Sequence, residues 1–334
     1  MSRIYDVTRR DFVKRVGAGV ALATGGSSLL SMADAAEAKQ RQPESLVKTL
    51  YQSLNENQRK DICFDWNHVD KSRGLLRTRV ANNWHITEHT VEDEFYTSDQ
   101  KEMIRAIFLG LIHPDWHKRY DQEIEDDCGG WGDHSVAIFG KPGSGKFELV
   151  FTGRHMTLRC DGDSADHVAF GGPIFYGHAP QDEEDKNHEG NVFWEQAVAA
   201  NKVFEMLDGK QRKMAKVAKT PREQNVAFRD PAKIQGIPMT ELSADQKVQV
   251  QETLRSLLAM YRTSDQAEAK ACLKTQGGLD ACRLAFYTDD DIGDDGVWDN
   301  WRIEGPSFVW HYRGAPHVHV WVNLADSPKV QLNA

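Results

Sequence analysis

Three short polar signatures, each followed by an apolar stripe, mark out helices along the chain. Asn55-x-x-Gln58, Thr97-x-x-Gln100 and Ser243-x-x-Gln246 each place a capping side chain three residues before a glutamine. After Thr97, apolar residues recur at Met103, Ile104, Ile107, Phe108, Leu111 and Ile112, the spacing of one helical face. After Ser243 they recur at Val248, Leu254, Leu257, Leu258 and Tyr261. A further helical stretch covers 192–218, with a break near Gly209. The three starts resemble one another, but over too short a span to define an internal repeat.

Strand-like runs lie elsewhere. Segments 135–139 and 147–151 flank Lys141-Pro142-Gly143-Ser144-Gly145, and segments 307–312 and 317–323 flank Arg313-Gly314-Ala315-Pro316. Both read as hairpins, because Gly and Pro punctuate β-rich runs at turns. Segments 155–160 and 168–176 are further strands, whereas 181–190 and the acidic, Gly-rich 288–299 are loops. Together these elements predict an α+β fold, a mostly antiparallel sheet packed against helices in a single large domain.

The first forty residues have a different character. Thr8-Arg9-Arg10-Asp11-Phe12-Val13-Lys14 carries paired arginines, a Gly- and Ala-rich apolar run follows to Met32, and small-x-small sites close it at Ala33-Asp34-Ala35 and Ala36-Glu37-Ala38. This is the order of a twin-arginine signal peptide over residues 1–38, leaving a mature domain at 39–334. It implies export to the periplasm through the twin-arginine translocation machinery, which carries folded cargo. The run is too short and Gly-rich for a membrane span, and no later stretch offers one. The formal net charge is −9, or about −10 once the leader is removed. Such an acidic chain is a poor partner for nucleic acid or anionic membranes.

Five cysteines, Cys63, Cys128, Cys160, Cys272 and Cys282, form no disulfide scaffold or zinc-knuckle spacing. Cys272 and Cys282 are the pair best placed for a bridge in an oxidising compartment, and buried free thiols are the alternative. Gly140-Lys141-Pro142-Gly143-Ser144-Gly145-Lys146 matches most of a phosphate loop. Phe147 then stands where a magnesium-binding hydroxyl is needed, and β-like sequence follows instead of a helix, so the motif reads as a hairpin turn.

The chemistry-bearing pattern is a set of histidines. His317 and His319, two apart on a predicted strand, project to one face and make a natural metal chelate. His311 lies across the same hairpin. His155 and His178 adjoin other strand-like segments, in Gly153-Arg154-His155 and Gly177-His178. A His-x-His on a polar sheet face, stacked on Trp310 or Trp321, is the purely structural reading. His113 and His117, at a helix end, read as structural, and His188 lies in a charged loop.

The segments Phe151-Thr-Gly-Arg-His155-Met-Thr-Leu158, Gly172-Pro-Ile-Phe-Tyr-Gly-His178-Ala-Pro180, Trp301-Arg-Ile-Glu-Gly-Pro306 and Pro316-His-Val-His319 come in a set order. Together they resemble the bacterial and fungal family catalogued as domain of unknown function 3500, over about Leu46 to Asn323. Members of that family look like exported proteins with a Gly-x-His-x-x-Leu element and a late His-x-His. Where relatives often read Gly-His-His, this chain reads Gly-Arg154-His155, so only His155 matches. The resemblance implies a fold unit and a set of histidines, and no reaction.

Two functional expectations follow. In the first, an exported metalloprotein holds zinc, copper or iron through His155, His317 and His319, with His178 or His311 as a fourth ligand. Glu304 would be its acid/base, and Arg302 or Arg154 would stabilise an anion, in a hydrolase or an oxidoreductase. In the second, a non-catalytic protein uses an aromatic sheet face carrying Trp298, Trp301, Trp310 and Trp321 to hold a small ligand or an envelope partner. Convergence of the His155, His317 and His319 nitrogens separates the two.

Overall fold

Each capping signature opens a helix. In the computed structural model, which describes residues 42–178, 192–289, 291 and 296–333, the first half runs α1 (Pro43–Ser53), α2 (Glu56–Ile62), β1 (Cys63–Phe64), β2 (Val69–Asp70), β3 (Gly74–Leu75), α3 (Ser98–Leu111), α4 (His117–Cys128), β4 (Ser135–Gly140), β5 (Phe147–Gly153), β6 (Met156–Cys160) and β7 (Ile174–His178). The second half runs α5 (Trp194–Glu205), α6 (Gly209–Ala215), β8 (Lys216–Val217), β9 (Ile237–Pro238), α7 (Ala244–Leu258), α8 (Thr263–Thr275), β10 (Arg283–Tyr287), β11 (Asn300–Gly305), β12 (Phe308–Arg313) and β13 (Val318–Leu324). The expected leader, His188, the loop 181–190 and part of the loop 288–299 lie outside the described residues. The chain divides into residues 1–41 and a unit from Gln42 to Ala334.

The fold is α+β, with a mixed sheet that is mostly antiparallel. Its strand order is β1-β4-β5-β6-β7-β13-β12-β11-β10-β8, with β9 paired to β10. Among the described residues only the edge strands β1 and β8 pair in parallel. The 192–218 stretch breaks where expected, near Gly209, and ends as the short strand β8. The near-phosphate loop is the turn between β4 and β5, with Gly140 (φ 76°) and Gly143 (φ 84°) in the left-handed region. All five cysteines are free thiols, so no bridge joins Cys272 to Cys282. Burial raises the Cys272 and Cys282 thiols to about 11 and about 12, leaving them protonated and unreactive at neutral pH.

The strand order hides a two-fold relation. Each half is a pair of helices, a short edge strand, a second pair of helices and a four-stranded meander, and the last strands of the two meanders meet in the middle. Ile174 of β7 pairs with Val322 of β13 at the centre. The turns after α3 and α7 also meet, through an antiparallel bridge between Ile112 and Tyr261.

Capping boxes repeat with the same symmetry, at Asn55 and Thr97 in one half and at Asp208 and Ser243 in the other. Their glutamines do more than cap. Gln58 Nε2 donates to Gln100 Oε1 (2.8 Å) and to the Phe95 carbonyl (2.5 Å). Gln211 Nε2 donates to Gln246 Oε1 (2.9 Å) and to the Glu241 carbonyl (2.8 Å), the same arrangement. A buried amide must satisfy its donors, and two facing amides at paired helix starts do so reciprocally.

One sheet face packs on the helices and forms the main core, from Val136, Phe151 and Leu158 through Trp301 and Trp310 to Val320. The other face is covered by the two long connections between each edge strand and the helix pair that follows it. The first places Leu76 and Ile86 on Phe139 and Val150, and the second helps place Val80 and Val226 on Phe175, Val309 and Trp321. Trp301, Trp310 and Trp321 have no exposed surface and are split between the two faces, while Trp298 packs on Phe204 and Phe286. The four tryptophans therefore make no common ligand face.

Candidate metal centre

The histidine site forms on the loop-covered face, where β7 and β13 lie side by side near the symmetry axis. His155 is the last residue of the turn joining β5 to β6, and His317 and His319 enter β13. The β5–β6 turn is held from outside: the Asn83 and Trp84 amides donate to the Arg154 and Gly153 carbonyls. Between His155 and β13 runs Gly177. A Cβ on Gly177 would lie 2.3 Å from the Val318 carbonyl oxygen and 2.8 Å from His155 Cδ2, so only glycine lets the ring approach β13.

The rings converge on their Nε2 atoms. His155 Nε2 lies 3.0 Å from His319 Nε2, and His317 Nε2 lies 2.9 Å from His319 Nε2. The three ligand atoms all fall within 4.8 Å of one another, so one point lies within about 3 Å of each. His155 and His319 are each 5 % exposed, and His317 is half-buried. Phe175 packs against His155 and His319, closing the inner side.

The outer nitrogens of two rings rest on carboxylates. His155 Nδ1 is 2.7 Å from Asp127 Oδ1 at the end of α4, and His319 Nδ1 is 3.0 Å from Glu223 Oε2 in the connection after β8. An ionised carboxylate only accepts hydrogen bonds, so both Nδ1 atoms must donate, and the Nε2 of a ring that is neutral then presents its lone pair. Burial opposes ionisation of Asp127, but the His155 hydrogen bond and the Arg154 guanidinium hold it below its ordinary value. Glu223 is held at about 2 by the same balance, with burial opposed by His319 and Arg313. Burial lowers His317 to about 3 and His319 to about 4, so both rings are neutral at pH 7.

His155, His317 and His319 thus form a group that could hold a metal ion. Three imidazoles around one point, with carboxylates behind two of them, match the usual build of a metal site whose outer partners fix ring tautomer and orientation. A tetrahedral ion at the usual 2.0–2.1 Å would separate the nitrogens by about 3.3 Å, close to two of the distances found.

The other expected ligands do not join them. His178 follows Gly177 on β7, so strand alternation turns its ring to the helix side, near Phe193. His311 shares the correct face, but it is opposite Trp321 and not His319. Its Nε2 is 2.9 Å from Asn300 Oδ1, and its Nδ1 accepts a long contact from Arg302 Nη1 (3.4 Å). The expected acid/base is engaged elsewhere too. Glu304 is buried between Arg229 (Nε 2.6 Å) and Arg302 (Nε 2.9 Å). The β11–β12–β13 register places it level with Asn323, two strands and four residues from His319, or roughly 16 Å away. Arg302 is spent on Glu304 and on the Asn225 carbonyl. Arg154 alone among the three polar candidates is beside the histidines, its Nη1 donating to the Asp127 carbonyl (3.0 Å).

Asp127 and Glu223 have no signal in the sequence, since they lie 28 and 96 residues from the histidines they hold. A polar cavity of about 270 Å³ adjoins the site, lined by Thr220, Asn300, His311, Arg313 and Pro316, and it shares Glu223 with the centre. His113 and His117 are structural: His113 caps the turn before α4, and His117 Nε2 reaches the Leu109 and Ile112 carbonyls at the end of α3.

The family described as protein of unknown function (DUF3500) matches residues 37–324. The chain belongs to the DUF3500 family. The match spans the helix pairs, both meanders and all three converging histidines, so the site lies within the family's own fold unit. No curated protein and no solved structure matches the chain.

If Asp127 and Glu223 orient ligands, Asp127→Asn and Glu223→Gln should each weaken zinc or copper binding by about 10- to 100-fold without unfolding the chain. Competition titration with a chelating dye, alongside a thermal melt, reads both effects. Unchanged affinity in both variants would assign these carboxylates a packing role only.

Proposed function

We propose that this DUF3500 member is an exported metal-dependent enzyme whose centre is His155, His317 and His319. The observation that carries the reading is the approach of His155 Nε2 to His319 Nε2 at 3.0 Å while both outer nitrogens face carboxylates. A cation shared by the three converging Nε2 atoms would satisfy the set at once. An all-imidazole donor set suits zinc, copper or iron.

Three protein ligands with an open position are the arrangement of catalytic metal sites, where a bound ion acidifies water or, if redox-active, exchanges electrons. The chain's own residues would set the tautomers through Asp127 and Glu223. They would also exclude water behind Phe175, and hold a polar substrate in the cavity lined by Asn300, His311 and Arg313. Arg154, on the outer side, is placed to meet an anion. The twin-arginine leader fits this reading, because that route lets folding and metal loading finish before export.

The test is elemental analysis of protein isolated from its native compartment, followed by chelation. About one transition-metal ion per chain is expected, with a melting temperature that falls on chelation and recovers on metal return, as binding to the folded state requires. Metal-free protein whose melting temperature ignores both chelator and added zinc, copper and iron would overturn the reading.

A further inference from the structure

The two-fold relation allows each half to be read against the other. Phe108 and Leu254 stand eleven residues after the caps of α3 and α7, and Arg105 and Gln251 stand eight residues after them. Trp131 and Leu279 each open the short 3-10 turn that follows a positive-φ glycine, Gly130 or Gly278, after α4 or α8. In the first half these positions are closed. The Phe108 and Trp131 rings pack at 4.3 Å, and the Arg105 guanidinium lies 4.8 Å over the Trp131 ring.

In the second half the counterparts are Leu254, Leu279 and Gln251, with no ring among them. All three line a cavity of about 560 Å³ between α7 and α8, floored by Phe308 and Trp310. That volume lies within the range of small-molecule sites. The rim is basic, carrying Lys247, Arg255, Lys270 and Lys274. Lys247 is held by Asp280 and Arg255 by Glu252. Lys270 and Lys274, one helical turn apart on α8, are exposed and have no ion-pair partner among the described residues. This cationic edge stands out on a chain of net charge −9.

We propose that this groove binds a single-chain fatty carboxylate, its tail along Leu254, Leu273 and Leu279 and its head against Lys270 and Lys274. An apolar trough with a cationic lip complements both ends of such a molecule, and the leucines that replace a Phe–Trp pair leave the room for its chain. The site is separate from the histidine centre and does not depend on it.

Isothermal titration of the purified chain with dodecanoate tests the proposal. One molecule is expected per chain, with affinity falling about fourfold for each methylene removed in decanoate and octanoate. Lys270→Glu with Lys274→Glu, both exposed, should weaken dodecanoate at least tenfold while the melting temperature holds. Leu279→Trp should abolish binding, because the first half houses a tryptophan at this position. Absent dodecanoate binding, undiminished binding in the charge-reversed chain, or equal affinity for neutral dodecanol would each overturn it. So would full binding by a folded Leu279→Trp chain.

Discussion

Replacing His319 by Ala should remove the metal altogether. His319 is the shared neighbour of the set, with His155 Nε2 at 3.0 Å on one side and His317 Nε2 at 2.9 Å on the other. Without it two imidazoles remain, one of them half-buried, and the nitrogen that both others approach is gone. Metal content of His319→Ala purified beside wild type should fall from about one ion per chain to background, and affinity for added zinc or copper should drop by at least hundredfold, a loss beyond that of an outer-shell change. His311→Ala is the matched control on the same sheet face, and it should keep its metal. Equal metal content in wild type and His319→Ala would remove the centre from consideration. Loss of metal in a folded His311→Ala protein would extend the ligand set to the position that the hydrogen bond to Asn300 now occupies.

The second large effect concerns Glu304, the residue whose sequence context suggested an acid/base. Its carboxylate is 2 % exposed as part of its residue and is clasped by Arg229 and Arg302. Removing one partner from a buried ion pair leaves uncompensated charge in a poor solvent for it, which costs about 3–5 kcal/mol. Glu304→Leu should therefore lower the stability of the unit from Gln42 to Ala334 by about that amount in urea unfolding, through the stranded Arg302 above all, since its guanidinium is 1 % exposed. Metal stoichiometry in the surviving folded protein should equal wild type. Wild-type stability together with lost metal binding would reverse this assignment and return Glu304 to the site.

Much of the fold was legible because it is written locally. A capping side chain and its glutamine lie three residues apart, so Asn55, Thr97 and Ser243 announced three helices correctly. The fourth box, at Asp208, was not marked, because Gly209-Lys-Gln-Arg-Lys carries no apolar stripe behind it. Glycine and proline placed the β4–β5 and β12–β13 turns for the same local reason. The internal two-fold was not legible. Short likenesses such as Asp99-Gln100-Lys101 and Asp245-Gln246-Lys247 are too brief to weigh until the strand order shows the two meanders meeting at Ile174 and Val322.

At the site, sequence by itself determined the chelating potential: His317 and His319 two apart on one extended segment, and His155 beside a glycine-flanked turn. It also determined that helices would cover a mostly antiparallel sheet. Only the tertiary structure decided which histidines meet. Alternation turned His178 to the helix face, and register set His311 one pair too far along β12. Asp127 and Glu223 came from remote elements, and Glu304 went to Arg229 and Arg302. The physical reason is range. Side-chain periodicity, capping and turn chemistry act over a few residues, whereas a metal centre is fixed by which strands become neighbours, and that is settled by burial of the whole core.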